Sequence, residues 1–439
     1  MKISGLRVSL MTMGLAAALH AMPASASTVS GALDLLNTYN AIVFGDMTSS
    51  SHTDGAVLVG GDLSASNVVF NMHSDANTAA AAAGTPAMTV IGNVTGSVQA
   101  DGSAVVGGNL SSGASISVNG RGGVTLGGNV EEHASLSGNG NVYVGGDVKN
   151  ASVTATGGDL SIGGKVTGNS TLTGNFNGTG NLYVGGTVSG STSITANGGS
   201  KNLNVGTVPA GSTASQTLSG ATTLISSAET TLQAYSRQLA SLTANNDVSW
   251  NGSVLTFNAT TADGNGVAVF DIAGTTLSYL SSASSFIFSL AQSVKEIIVN
   301  VTGVGANTLN INADVSTNGG DTVSAQVLGT NTIWNFSDAT GEIKLSKLFG
   351  GDILAVYADL TNSGNIEGTV VADSLTQLAE IHYDGQHVST VPLPAALSLF
   401  AAALLLTGVG GLTARTRRRE MRPSLSSSRF FKSVPSARS

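Results

Sequence analysis

One five-residue phrase recurs through the first half of the chain and limits what it can fold into. It reads Val59-Gly60-Gly61-Asp62-Leu63, then Val106-Gly107-Gly108-Asn109-Leu110, Leu126-Gly127-Gly128-Asn129-Val130 and Val144-Gly145-Gly146-Asp147-Val148. It continues as Ile162-Gly163-Gly164-Lys165-Val166 and Val184-Gly185-Gly186-Thr187-Val188, and fades at Val205-Gly206-Thr207-Val208. From Gly108 onward the second glycines are 20, 18, 18 and 22 residues apart. A fixed period of that size in a strand-forming sequence predicts a solenoid in which each period is one coil.

Alternation within each period assigns the faces, because successive strand side chains point to opposite sides. Val124, Leu126, Val142, Val144, Leu160, Ile162, Leu182 and Val184 are expected inside; Thr125, Tyr143, Ser161 and Tyr183, which separate them, are expected outside. The glycine pair is expected to turn a corner at positive φ, which glycine adopts without steric cost. A second strand precedes each phrase, with one aliphatic side chain facing in and two hydroxyls facing out. The pairs are Ser115 and Ser117, Ser135 and Ser137, Ser152 and Thr154, Thr171 and Thr173, and Ser193 and Thr195. Stacked coils would line these ten residues up as a ladder. Such a ladder suits a polysaccharide, ordered water or ice, and it equally suits a strand that needs β propensity with solubility. Mixed Ser and Thr argues against ice, which would want uniform Thr methyls.

Near Ala221 the period changes to that of a helix. Ala221, Leu224, Ile225, Ala228, Leu232, Tyr235, Leu239 and Leu242 share one face, ended by Asn245-Asn246-Asp247. Such a helix is expected to lie along the solenoid. Strand signals return from Val248, and Asp352 to Ala372 reads as one more coil. The Ala-rich stretch Ala76 to Ala87 is expected to be a surface loop. The fold class is therefore mainly β, a Gly-rich β-solenoid with one long helix packed along it, plus a C-terminal membrane helix.

Both ends read as addresses. Lys2 and Arg7 precede an apolar stretch, and Ala24-Ser25-Ala26 offers small residues for cleavage after Ala26. At the other end Val391, Pro392, Leu393, Pro394 and Ala395 open an uncharged run that reaches Ala414, long enough to span a bilayer, and Arg415, Arg417, Arg418 and Arg419 follow. This order of motif, apolar run and Arg cluster resembles the VPLPA variant of the PEP-CTERM sorting signals. The resemblance implies a membrane-held precursor, an exosortase-type processing enzyme as partner, and a destination at the cell surface or beyond. Glu420 to Ser439 trail behind the basic cluster, where such signals usually stop.

The expected organisation is a signal peptide over 1–26, an exported domain over 27–390, the sorting signal over 391–419 and a tail over 420–439. Within the domain, repeat coils occupy 57–210, the long helix 219–245, and the C-terminal strands and final coil 248–384. Tyr39-Asn40-Ala41-Ile42-Val43-Phe44-Gly45-Asp46, the strand at Ile298 to Gly303, Ile333-Trp334-Asn335-Phe336 and the closing Ile353 to Ala372 segment together resemble the choice-of-anchor A family of bacterial surface proteins. That resemblance implies an exported surface protein and no known reaction.

Residues 27–390 carry 8 basic and 25 acidic side chains, a net −17, which repels phosphate backbones and sets nucleic acid aside as a partner. No cysteine is present, so thiol catalysis, thiolate metal sites and disulfides are excluded. The histidines make no H-E-x-x-H pattern, and no G-x-S-x-G elbow occurs. His382, His387 and Asp384 have the composition of a metal site but read as a polar spacer. Asp62, Asn109, Asn129 and Asp147 recur at one corner, where calcium ligation competes with a turn role. Glu131, Glu132 and His133 form the densest ionisable cluster, at a coil turn. With no cofactor and no catalytic constellation, the expected function is structural or adhesive and not enzymatic, with a polysaccharide or other surface as ligand. The alternatives are a carbohydrate-active enzyme on a β-helix and an ice- or glycan-binding protein that uses the hydroxyl ladder.

Overall fold

In-register parallel pairing of equivalent strands turns the repeat into coils. The computed structural model describes residues 28–385 apart from 74–75, 77–83, 121, 176–179 and 318–327. The signal-peptide residues Ala24 and Ala26 and the sorting signal from Val391 to Arg419 lie outside the described residues, as does His387. No helix among the described residues is long and apolar enough to cross a membrane, and the 392–414 run is not among them.

Each repeat coil has three sides. The first is a three-residue strand, and Ala104–Val106, Val124–Leu126, Val142–Val144, Leu160–Ile162 and Leu182–Val184 pair in parallel one above the next. The glycine pair leads to a corner at which a single aliphatic residue, such as Leu110, Val130 or Val148, bridges to its equivalents. The third side is the hydroxyl-bearing strand, seen in Ser115–Asn119, Ser135–Gly138, Ser152–Ala155, Thr171–Asn175 and Ser193–Asn197. The eight residues expected inside are all buried. Of the four expected outside, Thr125, Tyr143 and Tyr183 are half-buried, but Ser161 is buried. The small Ser161 stands in register between Tyr143 and Tyr183, which cover it from both sides.

The glycine pairs do not turn the corner through positive φ, for none of them adopts it. They are glycines because the coils approach too closely for a side chain. A Cβ on Gly127 or Gly163 would lie 2.5 or 2.7 Å from the carbonyl oxygen of the equivalent glycine one coil earlier. The second glycine is blocked by the same backbone and by a side chain as well. A Cβ on Gly128, Gly146 or Gly164 would fall on the Oδ1 atom of Asn109, Asn129 or Asp147 respectively.

The chain's two halves belong to one stack. From Ala41–Val43 the coils climb to a last strand at Lys201–Leu203, and the chain then returns as the helix Gly211–Ala240. Further coils begin with Val267–Ile272, Glu296–Val301, Thr332–Asn335 and Asp352–Asn362, and the last one, Val370–Gln377, docks beneath the first by pairing Ala41 with Val370 and Val43 with Ala372. At 1.5 Å per residue the 30-residue helix is about 45 Å long. It touches strands from Val124–Leu126 down to Glu296–Val301, nine strands spaced by ~4.8 Å, or about 38 Å. The helix begins eight residues before the expected Ser219, because Gly211 to Leu218 is Ser/Thr-rich and gives little apolar periodicity. It ends at Ala240, ahead of the expected 245.

Ile225, Ala228, Leu232, Tyr235 and Leu239 bury against Ile42, Leu58, Val269, Ile298, Leu354 and Val371, which point outward from the first side of their coils. Ser236 Oγ donates to Asn335 Oδ1 at 2.6 Å, Asn335 Nδ2 donates to Asn300 Oδ1 at 2.8 Å, and Asn300 Nδ2 donates to the Leu239 carbonyl at 2.8 Å. This buried polar chain fixes the helix in register. A shorter helix over 28–38 joins the same cluster through Val29, Ala32 and Leu36. Inside the C-terminal coils the interior is wide enough for Phe257, Phe270, Phe286, Phe288, Trp334 and Phe349 in mutual contact. Of the stretch expected as a surface loop, residues 77–83 lie outside the described residues; Gly84 is exposed, and Ala76 and Ala87 at its two ends are buried.

Two expectations follow from this packing. Gly164→Ala should destabilise the protein by about 1–3 kcal/mol, as overpacking does, whereas Gly220→Ala, on the helix with open space around it, should stabilise by about 0.5–1 kcal/mol; thermal melts of the two variants decide it. The second concerns Lys201, which occupies a column otherwise filled by Val124, Val142, Leu160 and Leu182 and reaches across the open end of the solenoid to the Ile194 carbonyl at 2.6 Å. A charge at such an edge opposes strand addition. Lys201→Leu should therefore make the protein associate end to end, seen by sedimentation velocity as a concentration-dependent dimer that the parent chain does not form.

Candidate adhesive face

The ten hydroxyl residues expected on the outside come together as two columns on the third side of the solenoid. One column is Ser115, Ser135, Ser152, Thr171 and Ser193, and the other is Ser117, Ser137, Thr154, Thr173 and Thr195, all in direct register. None is buried: Ser135, Thr171, Ser193 and Thr195 are exposed and the rest half-exposed. The spacing is ~4.8 Å along a column and ~7 Å across it, the latter being two residues of an extended strand. Beneath them Ile116, Leu136, Val153 and Leu172 are buried and hold the sheet against the core.

The face is larger than the ten residues. Ser97 and Gln99 extend the columns by one coil, in register with Ser115 and Ser117. A third column runs beside them through Asp101 and Asn119, and again through Asn175 and Asn197. Asn197 Nδ2 donates to Asn175 Oδ1 at 2.6 Å, and Ser137 Oγ donates to Ser117 Oγ at 3.3 Å. The same alternation carried two residues further along these strands would have revealed the third column. Ser97 was hidden because its partner position holds Gln99.

The Asx residues at the glycine corner have a structural task. Asn109 Oδ1 accepts the Asn129 N–H at 2.7 Å, Asn129 Oδ1 the Asp147 N–H at 2.8 Å, and Asp147 Oδ1 the Lys165 N–H at 2.7 Å. Asp62 Oδ1 in turn accepts from Asn93 at 2.7 Å. Each side-chain oxygen thus receives a backbone donor that the corner leaves without a ladder partner. The Lys165 that interrupts the Asx series needs only to donate. A second ladder of this type, Asn141 to Asp159 to Asn181, lines the opposite corner, at 2.9 and 2.8 Å.

The ionisable candidates stay apart from the hydroxyl face or are already occupied. Glu132 pairs with Lys149 at 2.9 Å, which lowers its pKa, while Glu131 accepts from Asn129 Nδ2 and His133 sits at φ 62°. His382 lies between Glu367 and Glu380 at 2.7 and 2.9 Å. Among the described residues no group of three or more His, Asp or Glu side chains is arranged to hold a metal ion.

A family model described as an ice-binding-like adhesive domain matches residues 32–132 and 101–383. Among solved structures, an ice-binding protein from an Antarctic bacterium of the Flavobacteriaceae aligns over 80% of this chain and 97% of its own, at 12% identity and a TM-score of 0.20. No curated protein matches the sequence. The family match spans most of the chain and coincides with the coils that carry the hydroxyl face: the chain belongs to the ice-binding-like adhesive domain family.

Proposed function

We propose that the protein is an exported, envelope-held adhesin of the choice-of-anchor A type, and that its hydroxyl face binds the hydroxyl-rich surface of a polysaccharide without chemical turnover. The observation that carries this reading is the pair of in-register Ser/Thr columns on one side of the solenoid, all exposed or half-exposed. A periodic array of hydroxyls presents donors and acceptors at a fixed spacing, and a rigid β-sheet loses little conformational entropy when it meets a repeating ligand. Ser supplies most of the columns, and Ser has no methyl to offer ice. The acidic exported domain disfavours nucleic acid as the ligand. The sequence-based VPLPA signal supplies the anchor in this proposal, with an exosortase-type enzyme as its processing partner.

Replacing Thr171 and Thr173 together by Lys should weaken retention on immobilised polysaccharide at least tenfold while the melting temperature moves by no more than a degree or two, since both side chains point to solvent. Unchanged retention would reduce the columns to solubilising strand residues, and inhibition of ice recrystallisation by the parent protein would make ice the ligand. Release of reducing or unsaturated sugar ends, abolished at Glu131 or Glu132, would overturn the non-enzymatic reading. For the anchor, deletion of 391–439 should move the protein from the membrane fraction to the medium or periplasm. Identical fractionation of the two forms would show that another element holds it.

A further inference from the structure

The joint between the last coil and the first is unusually rich in buried polar and acidic groups. Asn40 Nδ2 donates to the Gly368 and His382 carbonyls at 2.9 and 3.1 Å. Thr369 Oγ1 donates to Leu36 and Tyr39 carbonyls, and Gln377 Nε2 reaches the His52 carbonyl at 2.7 Å. The strand Ile381–His382 pairs with Ile366–Glu367 below it, placing His382 directly over Glu367, while Ile381 bridges to Thr53 of the first coil. The Asp54 N–H donates to the Ile381 carbonyl, and Asp54 Oδ2 accepts the Tyr383 N–H at 3.1 Å.

Five carboxyl groups meet here: Asp54 from the first coil, Asp352 and Glu367 from the coils beneath, and Glu380 and Asp384 from the closing segment. The groups acting electrostatically on His382 and Asp384 include no lysine or arginine. Glu367 is 1% exposed and Asp352 3%. His382 occupies Glu367 Oε1, but Glu367 Oε2 and Asp384 Oδ2 are buried with no conventional hydrogen-bond donor. The void beside Asp384 measures only about 10 Å³, and a cluster of buried like charges cannot persist without protons or a counter-ion. Among the described residues no group there is arranged to hold a metal ion, and a proton relieves the repulsion within so small a space.

We propose that the Asp384 carboxyl keeps its proton beside Glu367, and that this contact, together with the His382 imidazolium bridging Glu367 and Glu380, is a latch that locks the last coil to the first and loosens as the pH rises. Two ionised carboxylates at contact repel, so one must stay protonated. Burial, reinforced by the charges of Glu367 and Asp352, holds the Asp384 carboxyl up at about 8. The hydrogen bond to Glu367 holds His382 at about 9 against the opposing effect of burial. Both groups are raised above their ordinary values, so both favour the closed joint fully at low pH. For Asp384 that preference falls away between its ordinary 3.8 and about 8, and for His382 between 6.5 and about 9. Asp384 stands seven residues before Val391.

Hydrogen exchange on the full chain, corrected for the intrinsic base-catalysed rate, tests this at pH 6 and pH 9. Amides of Ile366, Gly368 and Ile381, which donate across the joint to Glu380, His382 and His52 carbonyls, should exchange about tenfold faster at pH 9, as loss of a bound proton near its pKa implies. Amides of the 135–155 coils should not change. Asp384→Asn, a neutral stand-in for the protonated acid, should keep the joint protected at pH 9. Equal opening in parent and variant, or parallel opening of the 135–155 coils, would overturn the latch. If calcium added at pH 9 restores protection to the parent and chelator removes it, the cluster is a cation site and the latch fails.

Discussion

The parallel pairing of Ala41–Val43 with Val370–Ala372 is the contact on which the rest of the architecture depends. It makes a single column from coils separated by more than 300 residues of sequence, and it leaves the top of the stack with no direct way back to the bottom. Gly211–Ala240 provides that way back, and its length matches the number of coils it must pass. The same pairing explains where polar groups are buried. Asn40, Thr369 and Gln377 satisfy backbone atoms that a joint between non-consecutive coils would otherwise leave without partners. So distant a contact closes a long loop, which implies slow formation late in folding.

Local features of the fold were legible because they are local in sequence. Alternation around Val142, Tyr143 and Val144 needs only three residues to define two faces, and the period follows from counting glycines. What those glycines do was misread, since a steric contact with the coil below cannot be distinguished from a positive-φ requirement without a neighbour in view. Gly163 is a glycine because of Gly145, 18 residues earlier. The same blindness hid Ser161, buried by tyrosines one coil away on either side. The joint was invisible for a similar reason. Strands at 41–43 and 370–372 carry an apolar run like that at 57–59, so nothing in them names their partner.

The candidate face shows the same division. Its ten hydroxyls follow from alternation alone, whereas its width depends on register with Ser97, Gln99 and the Asn column. His382 and Asp384 read as spacer because their partners, Asp352, Glu367 and Asp54, come from other coils. Only stacking turns an unremarkable polar segment into a buried carboxyl cluster.

A solenoid has surplus surface, and the distribution of that surface argues for function more directly than any single residue. The first side is apolar at Ile42, Leu58 and Val371, where the helix covers it, and turns polar at Thr125, Tyr143 and Ser161 as the helix ends. The corners are closed by Asx side chains that accept from the next coil. One terminal edge is bonded to Asn245 and Asp263, and the other is blunted by Lys201. These devices prevent strand addition and exposed apolar surface. The third side has none of them, and its Ser/Thr columns are the broad surface left available to a partner that repeats with the coils.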